Sequence, residues 1–187
     1  MQRQKCGWCL GDSLYENYHD TEWGVPVKDD AKLFEFLILE TFQAGLSWIT
    51  ILRKRENFRI AFDHFDYLKI SNYNASKIEA LLQNEGIIRN KLKVHATVTN
   101  AQAFIKIQKE FGSFSAYIWG FIQGKPIKNK LTNYKLAAPN TPISDKISKD
   151  LKARGFKFVG STVIYALMQA TGMVNDHEIN CFRYEEV

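Results

Sequence analysis

An all-α fold is the class this sequence predicts, and three observations carry it. Apolar residues recur at three- and four-residue steps through most of the chain. Strand-like alternation is nowhere sustained, and Asp, Asn and Ser stand repeatedly before the apolar runs, where helices take their caps. The 187 residues fit one domain, spanning 1–187, with a sizeable core of its own.

The organising stretch is LFEFLILETFQAGLSWITILRKREN, opened by Asp29 or Asp30. Leu33, Phe36, Leu37, Glu40 and Ala44 share one stripe of a helix, four apolar positions and one carboxylate. An unpaired carboxylate facing a core is costly, so Glu40 is expected to be paired, protonated or lining a cavity. Gly45 can end that helix, leaving Leu46 at a turn before Trp48 begins the next apolar run. An acid, a turn and an indole within nine residues read as one wall of a pocket.

The other elements follow in order. Asp12 or Ser13 caps a short helix through Tyr18, and Ile49 to Phe65 continues as helix, with Ile49, Leu52, Phe58, Phe62 and Phe65 in the core. Helices are expected over Ser76 to Gln83 and Lys91 to Phe111, then a short one to Phe121 capped by Ser113 or Ser115. Residues 124–144 hold three of the four prolines and four lysines, which reads as a surface loop. Ser144 caps a helix to Arg154, residues 155–160 turn tightly, and Ser161 to Thr171 forms the last long helix. The tail from Val174 to Cys181 adds one more helical turn.

Composition narrows the function. Forty-five per cent hydrophobic and 24 per cent charged residues argue against disorder, and 13 per cent aromatics leave rings to line a site. A net charge of +5 admits a polyanionic partner without requiring one. No signal-like apolar region opens the chain and no run is long enough to span a membrane, so a reducing cytoplasm is expected. There the three cysteines read as metal ligands or free thiols rather than disulfides. Motifs for nucleotide hydrolysis, dinucleotide binding, zincin proteolysis and serine hydrolysis are missing.

Two constellations remain. Cys6, His19, His177 and Cys181 form a thiolate and imidazole set that could close a tetrahedral zinc shell, with Cys9 competing with Cys6; separate buried thiols and surface histidines are the alternative. Gly155 and Gly160 flank a turn between helices, with Lys152, Arg154 and Lys157 beside it. Such a turn lets backbone N–H groups approach a phosphate, or is a plain helical turn on a basic surface.

Taken together, the segments CGW at 6, YHDTEWGVP at 18, LETFQAGLSWITILRKREN at 39, GIIRNKLK at 86 and RGFKFVGSTVIYALMQATGMVNDH at 154, with the final Cys181, resemble the 3-methyladenine DNA glycosylase I family of the helix-hairpin-helix superfamily. The resemblance covers nearly the whole chain. It implies two helical lobes around a base pocket, with segments 1–25 and 172–187 joined by one structural Zn2+ on Cys6, His19, His177 and Cys181. It implies that Glu40 is the pocket acid, that Tyr18 and Trp48 hold the base, and that Trp8, Tyr15 and Trp23 complete the aromatic wall. Gln43, Gly45 and Leu46 would probe the DNA gap, and Gly155, Lys157 and Gly160 would belong to the hairpin at 154–161.

The partner implied is double-stranded DNA carrying alkylated adenine, the product free 3-methyladenine, and the enzyme monofunctional; a monomer is the default expectation. Other superfamily members keep a catalytic aspartate where this chain has Asn175. Asp176 lies one residue off and is given no catalytic role. The departures, at Cys9 and the loop 124–143, are expected to leave the site untouched. A DNA-binding module without catalysis and a zinc hydrolase are the rival classes, the second disfavoured by four protein ligands.

Overall fold

The computed structural model describes residues 3–187. Asp29 accepts a hydrogen bond from the Lys32 N–H and starts helix α2, Asp30–Gln43. Every residue from Leu33 to Phe42 is buried, so the stripe read from the sequence is only part of a helix enclosed on all sides. Asp30 does not cap α2. Its carboxylate accepts from the N–H groups of Phe114 and Ser115 and from Gln108, docking a later helix start onto the core.

The remaining helices wrap this rod. Asp12 caps α1, Ser13–Thr21, which runs a turn further than expected. Helix α3, Trp48–Ala61, stops before Phe65, because Asp63, His64 and Phe65 take positive φ in a tight left-handed turn; Phe62 and Phe65 stay in the core. After α4, Tyr67–Ile70, Asn74 caps α5, Ala75–Gln83, which starts one residue before the expected Ser76. Helix α6, Lys91–Phe111, and α7, Phe114–Gly120, agree with expectation, Ser113 being the cap. Helix α8, Pro142–Ala153, is capped by Thr141, with Ser144 one turn inside and bonding back to it. Helix α9 is Ser161–Ala170.

Two expectations are overturned. The tail is not helical: Val174–Asn175 (β2) pairs in parallel with Ile127–Lys128 (β1), Ile127 opposite Val174. The Asn175 amide then donates to the carbonyls of Tyr184 and Val187 and accepts from the His177 N–H, which settles the tail into turns. The proline-rich segment is likewise more than a surface loop, since β1 and a bridge from Leu131 to Glu178 lay it against the tail. Alternation over two residues is too short to show in sequence. The fold is mostly helical all the same.

Gly172 explains how α9 ends. Its φ is +67°, and a Cβ there would lie 2.4 Å from the Pro26 nitrogen, so only glycine lets the N-terminal segment cross so closely. Val27 N–H then bonds to the Thr171 carbonyl.

An ion network ties α1, α2 and α3. Arg55 bonds to Glu35 at 2.7 Å and to Glu22 at 2.8 Å, and Arg59 adds 2.8 Å to Glu35. Burial pushes the Glu35 carboxyl up, but Arg55 and then Arg59 outweigh it and hold it below its usual range. Removing one partner of such a pair leaves a buried charge exposed to low dielectric, so Arg55→Met is expected to cost about 3 kcal/mol by chemical denaturation. A depressed carboxyl pKa stabilises the fold above the unfolded value and ceases to do so in acid, so the gap between variant and parent should narrow below pH 4.5.

Candidate active site

Helix α2 delivers Glu40 to a cavity of about 210 Å³. At roughly 30 Å³ per water that is room for about seven waters, the scale of one flat heterocycle. Its walls come from the N-terminal segment (Trp8, Tyr15, Tyr18, Trp23), from α2 (Glu40, Gln43), from α3 (Trp48) and from α9 with the tail (Ala166, Gln169, Asp176). All the pocket residues expected from the resemblance are therefore brought together.

Glu40 differs from Glu35, five residues away, in having no cation. Burial alone pushes its carboxyl up to about 8, and its Oε2 has no protein hydrogen-bond partner. The indole nitrogens of Trp8 and Trp48 are buried and unpartnered as well. Buried polar atoms are nearly always satisfied, so three orphans around one small cavity mark a place built to bind something polar and flat. Burial above all pushes the Tyr15 phenol up to about 12, which keeps it a neutral donor.

The aromatic geometry refines one expectation. Tyr18 and Trp48 have ring centroids 5.5 Å apart at 45°, already in contact. A sandwich needs about 7 Å, twice a carbon contact distance, so a base would lie against this pair rather than between its members. Trp8 sits edge-on to Tyr15 at 4.7 Å and to Trp23 at 4.9 Å, forming the opposite bank.

Beside the pocket, Cys6, His19, His177 and Cys181 are buried with ligand atoms within 4.8 Å of one another, a group that could hold a metal ion. Cys6 Sγ to His177 Nδ1 is 3.5 Å, Cys181 Sγ to His19 Nε2 is 3.3 Å and to His177 Nδ1 3.6 Å. A tetrahedron with Zn–S near 2.3 Å and Zn–N near 2.0 Å has S···N edges of about 3.5 Å, so the donors fit. The outer nitrogens agree: His19 Nδ1 pairs with Asp20 at 2.8 Å and His177 Nε2 with the Trp23 carbonyl at 3.1 Å, leaving the inner nitrogens unprotonated for a metal. Cys9 is not in the group. Its thiol donates to the Cys6 carbonyl, which resolves the competition in favour of Cys6.

At the mouth, α2 ends at Gln43. Gly45 has φ +84° with nothing within 4 Å of where a Cβ would sit, and Leu46 is 40% exposed. Gln43 itself lines the cavity. The turn between α8 and α9 is anchored by Asn100, which bonds both the N–H and the carbonyl of Lys157, and by Ser148 on the Val159 carbonyl. Arg154 is paired with Glu110 and Asp150, and the Lys157 N–H is taken by Asn100, so that N–H is not open to a phosphate. The Gly160 cap offers no side chain to the start of α9, whose first N–H groups are left for another acceptor.

A profile of the methyladenine glycosylase family matches residues 8–184. The chain belongs to this family. It is 45% identical over 181 residues to DNA-3-methyladenine glycosylase 1 of Escherichia coli (strain K12), covering 97% of each chain. A crystal structure of 3-methyladenine DNA glycosylase I is similar with a TM-score of 0.93 at 47% identity, covering 96% of this chain and 98% of that one. A variant of 3-methyladenine DNA glycosylase I in complex with 3-methyladenine gives 0.92 at 35% identity, covering 95% and 96%.

Against that family frame, three groups of residues escaped sequence reasoning. Leu131, Tyr134 and Ala137 line the cavity, so the proline-rich loop does reach the site, contrary to expectation. Tyr134 is placed by its N–H bond to Glu178 and by the bare backbone of Gly7 beneath its ring. Asp176 is buried and accepts from Asn129 at 2.6 Å and from Tyr165 and Gln169 at 2.8 Å, making it a pocket wall residue after all. A glutamine on the apolar face of α9 was a readable signal of the same kind as Glu40; the loop carried none.

Glu40 should depress stability at neutral pH. Its folded pKa lies above the unfolded 4.5, so the fold loses stability as pH rises from 4.5 through about 8. Glu40→Gln is therefore expected to melt higher than the parent at pH 7.5, by on the order of 3 kcal/mol, with the difference vanishing near pH 4.5 in parallel melts.

Proposed function

We propose that this glycosylase removes 3-methyladenine from alkylated double-stranded DNA by hydrolysing its N-glycosyl bond, releasing the free base and leaving an abasic site. The reaction class is that of the family to which the chain belongs. The observation that carries the assignment to this pocket is that Glu40, Trp8 and Trp48, each with a buried polar atom that has no partner, all line one aromatic cavity.

Methylation at N3 makes the base cationic in DNA. The C1′–N9 bond breaks with its electron pair moving to the base, which leaves neutral; water adds to C1′ and loses its proton to solvent. Little acid catalysis is needed, so the work is exposure and recognition. The base must leave the stack, since C1′ is out of reach within it. Tyr18 and Trp48 offer their faces to the cation, and Glu40, once ionised, accepts from the adenine amino edge and opposes the positive charge. Guanine presents a carbonyl there, which a carboxylate rejects. Leu46, on the turn with Gln43 and Gly45, fills the space the base leaves. Gly160 and the start of α9 receive a backbone phosphate, with the Lys157 side chain near by. The two helical lobes meet at the base pocket in one domain, and the enzyme acts as a monomer.

The metal in this reading is one Zn2+ on Cys6, His19, His177 and Cys181. It supplies folding free energy rather than chemistry, since four protein ligands leave no open position. Chelation of the purified protein is expected to lower its melting temperature by more than about 10 °C, with zinc restoring it. A metal-free protein that melted at the same temperature would remove the structural role.

Chromatography of bases released from methylated duplex tests the reaction. The parent should release 3-methyladenine without 7-methylguanine and without nicking the strand. Its single-turnover rate should rise from pH 6 to pH 8 as Glu40 ionises, whereas Glu40→Gln should be at least about tenfold slower and flat with pH. Equal rates in the two proteins would refute the role of Glu40; no release by folded, metal-loaded parent would refute the reaction.

A further inference from the structure

Lys93 is a buried cation with no carboxylate. It lies in the first turn of α6, 6% exposed, and its Nζ donates to the Phe42 carbonyl at 2.9 Å and the Ala44 carbonyl at 2.8 Å. These are acceptors of the last turn of α2, which a helix cannot satisfy internally, at the negative end of its dipole. Ala44 leaves the helix with ψ 115°, and the chain then runs through Gly45 to Leu46 and Ser47. The internal ties of this turn are the Leu46 N–H to the Gln43 carbonyl and Ser47 to Thr50. Among the described residues, no other side chain from outside the turn bonds to it. Open space surrounds the Cβ position of Gly45 and Leu46 is partly exposed, so the side-chain hydrogen bonding that joins this loop to the body of the protein comes from one ammonium group.

We infer that Lys93 is a positioning residue for base release from duplex DNA, fixing the Gly45-Leu46 turn in the posture that enters the helix. This rests on the reading that Leu46 fills the vacated space. A tip that must enter a stack at one place tolerates little slack, because a displacement of about 1 Å can cost about a hundredfold in rate. Neither free base nor single-stranded DNA requires the turn, so Lys93 should matter for neither.

The test compares Lys93→Met, Lys93→Arg and Leu46→Gly as metal-loaded full chains, with Lys93→Gln in place of the methionine should that variant not fold. Three probes are used: methylated duplex, the same methylated strand alone, and free 3-methyladenine followed by tryptophan fluorescence. Lys93→Met should slow duplex release at least about tenfold while changing single-strand release and free-base affinity less than about twofold, and Lys93→Arg should recover most of the loss. Combining Lys93→Met with Leu46→Gly should cost little more than Leu46→Gly alone. If Leu46→Gly slows duplex release and Lys93→Met does not, the inference about Lys93 fails while the wedge stands. Unchanged release by Leu46→Gly would remove the wedge and this inference with it. Parallel loss of duplex release and free-base affinity in Lys93→Met would make the lysine a support of the pocket instead. A shallower salt dependence of duplex binding in that variant would make it a phosphate contact.

Discussion

Burying a carboxylic acid without a cation, in the last turn of a helix enclosed on all sides, is the constraint on which the molecule turns. Glu35 and Glu40 stand on the same helix at nearly the same depth. Glu35 meets two guanidinium groups and stays ionised; Glu40 meets only burial and is pushed up to about 8. The cost is offset by the apolar neighbours on α2, each fully buried Phe or Leu being worth about 1.5–3 kcal/mol. On the proposed function, a cationic base entering the cavity would supply the missing partner, and the same burial that destabilises the empty fold would favour the charged ligand.

The pocket and the thiolate–imidazole group share a wall. Trp8 lies between Cys6 and Cys9 in the chain and packs on the His19 ring at 5.4 Å, while Trp23 packs on His177 at 4.6 Å and holds that ring through its carbonyl. Glu178 extends the link: its N–H reaches Cys6 Sγ at 3.3 Å and its carboxylate holds Tyr134 of the pocket loop. Joining the two chain ends therefore does more than close the fold. It sets the aromatic bank that lines the pocket with Glu40.

At the face proposed to meet DNA, rigidity and freedom are divided between two turns. The α8–α9 turn is held by Asn100 and Ser148, so its geometry is fixed before any partner arrives. The α2–α3 turn is open around Gly45 and held at its base by Lys93. A rigid clamp with a projecting tip suits a protein that grips backbone without reading sequence and probes for a weak stack.

Much of this was legible from residues alone. Periodicity located the helices because a stripe repeats with its own backbone, and the clustering of Cys, His, Trp and Tyr near one end flagged the site because those side chains bring their chemistry with them. Glycine marked the turns at 45 and 155 for the same local reason. What the chain by itself left undecided was who faces whom. Cys6 or Cys9, and Asp29 or Asp30, are equivalent in spacing and differ only once packing chooses one, and the cap read at Ser144 falls to Thr141. Tyr134, Asp176 and Lys93 gave no pattern to read, since their roles depend on contacts with segments 44–51 residues away. Glu40 shows both halves at once: its place on an apolar stripe was written in the sequence, but its lack of a partner is a property of everything packed around it, and only the tertiary structure could decide that.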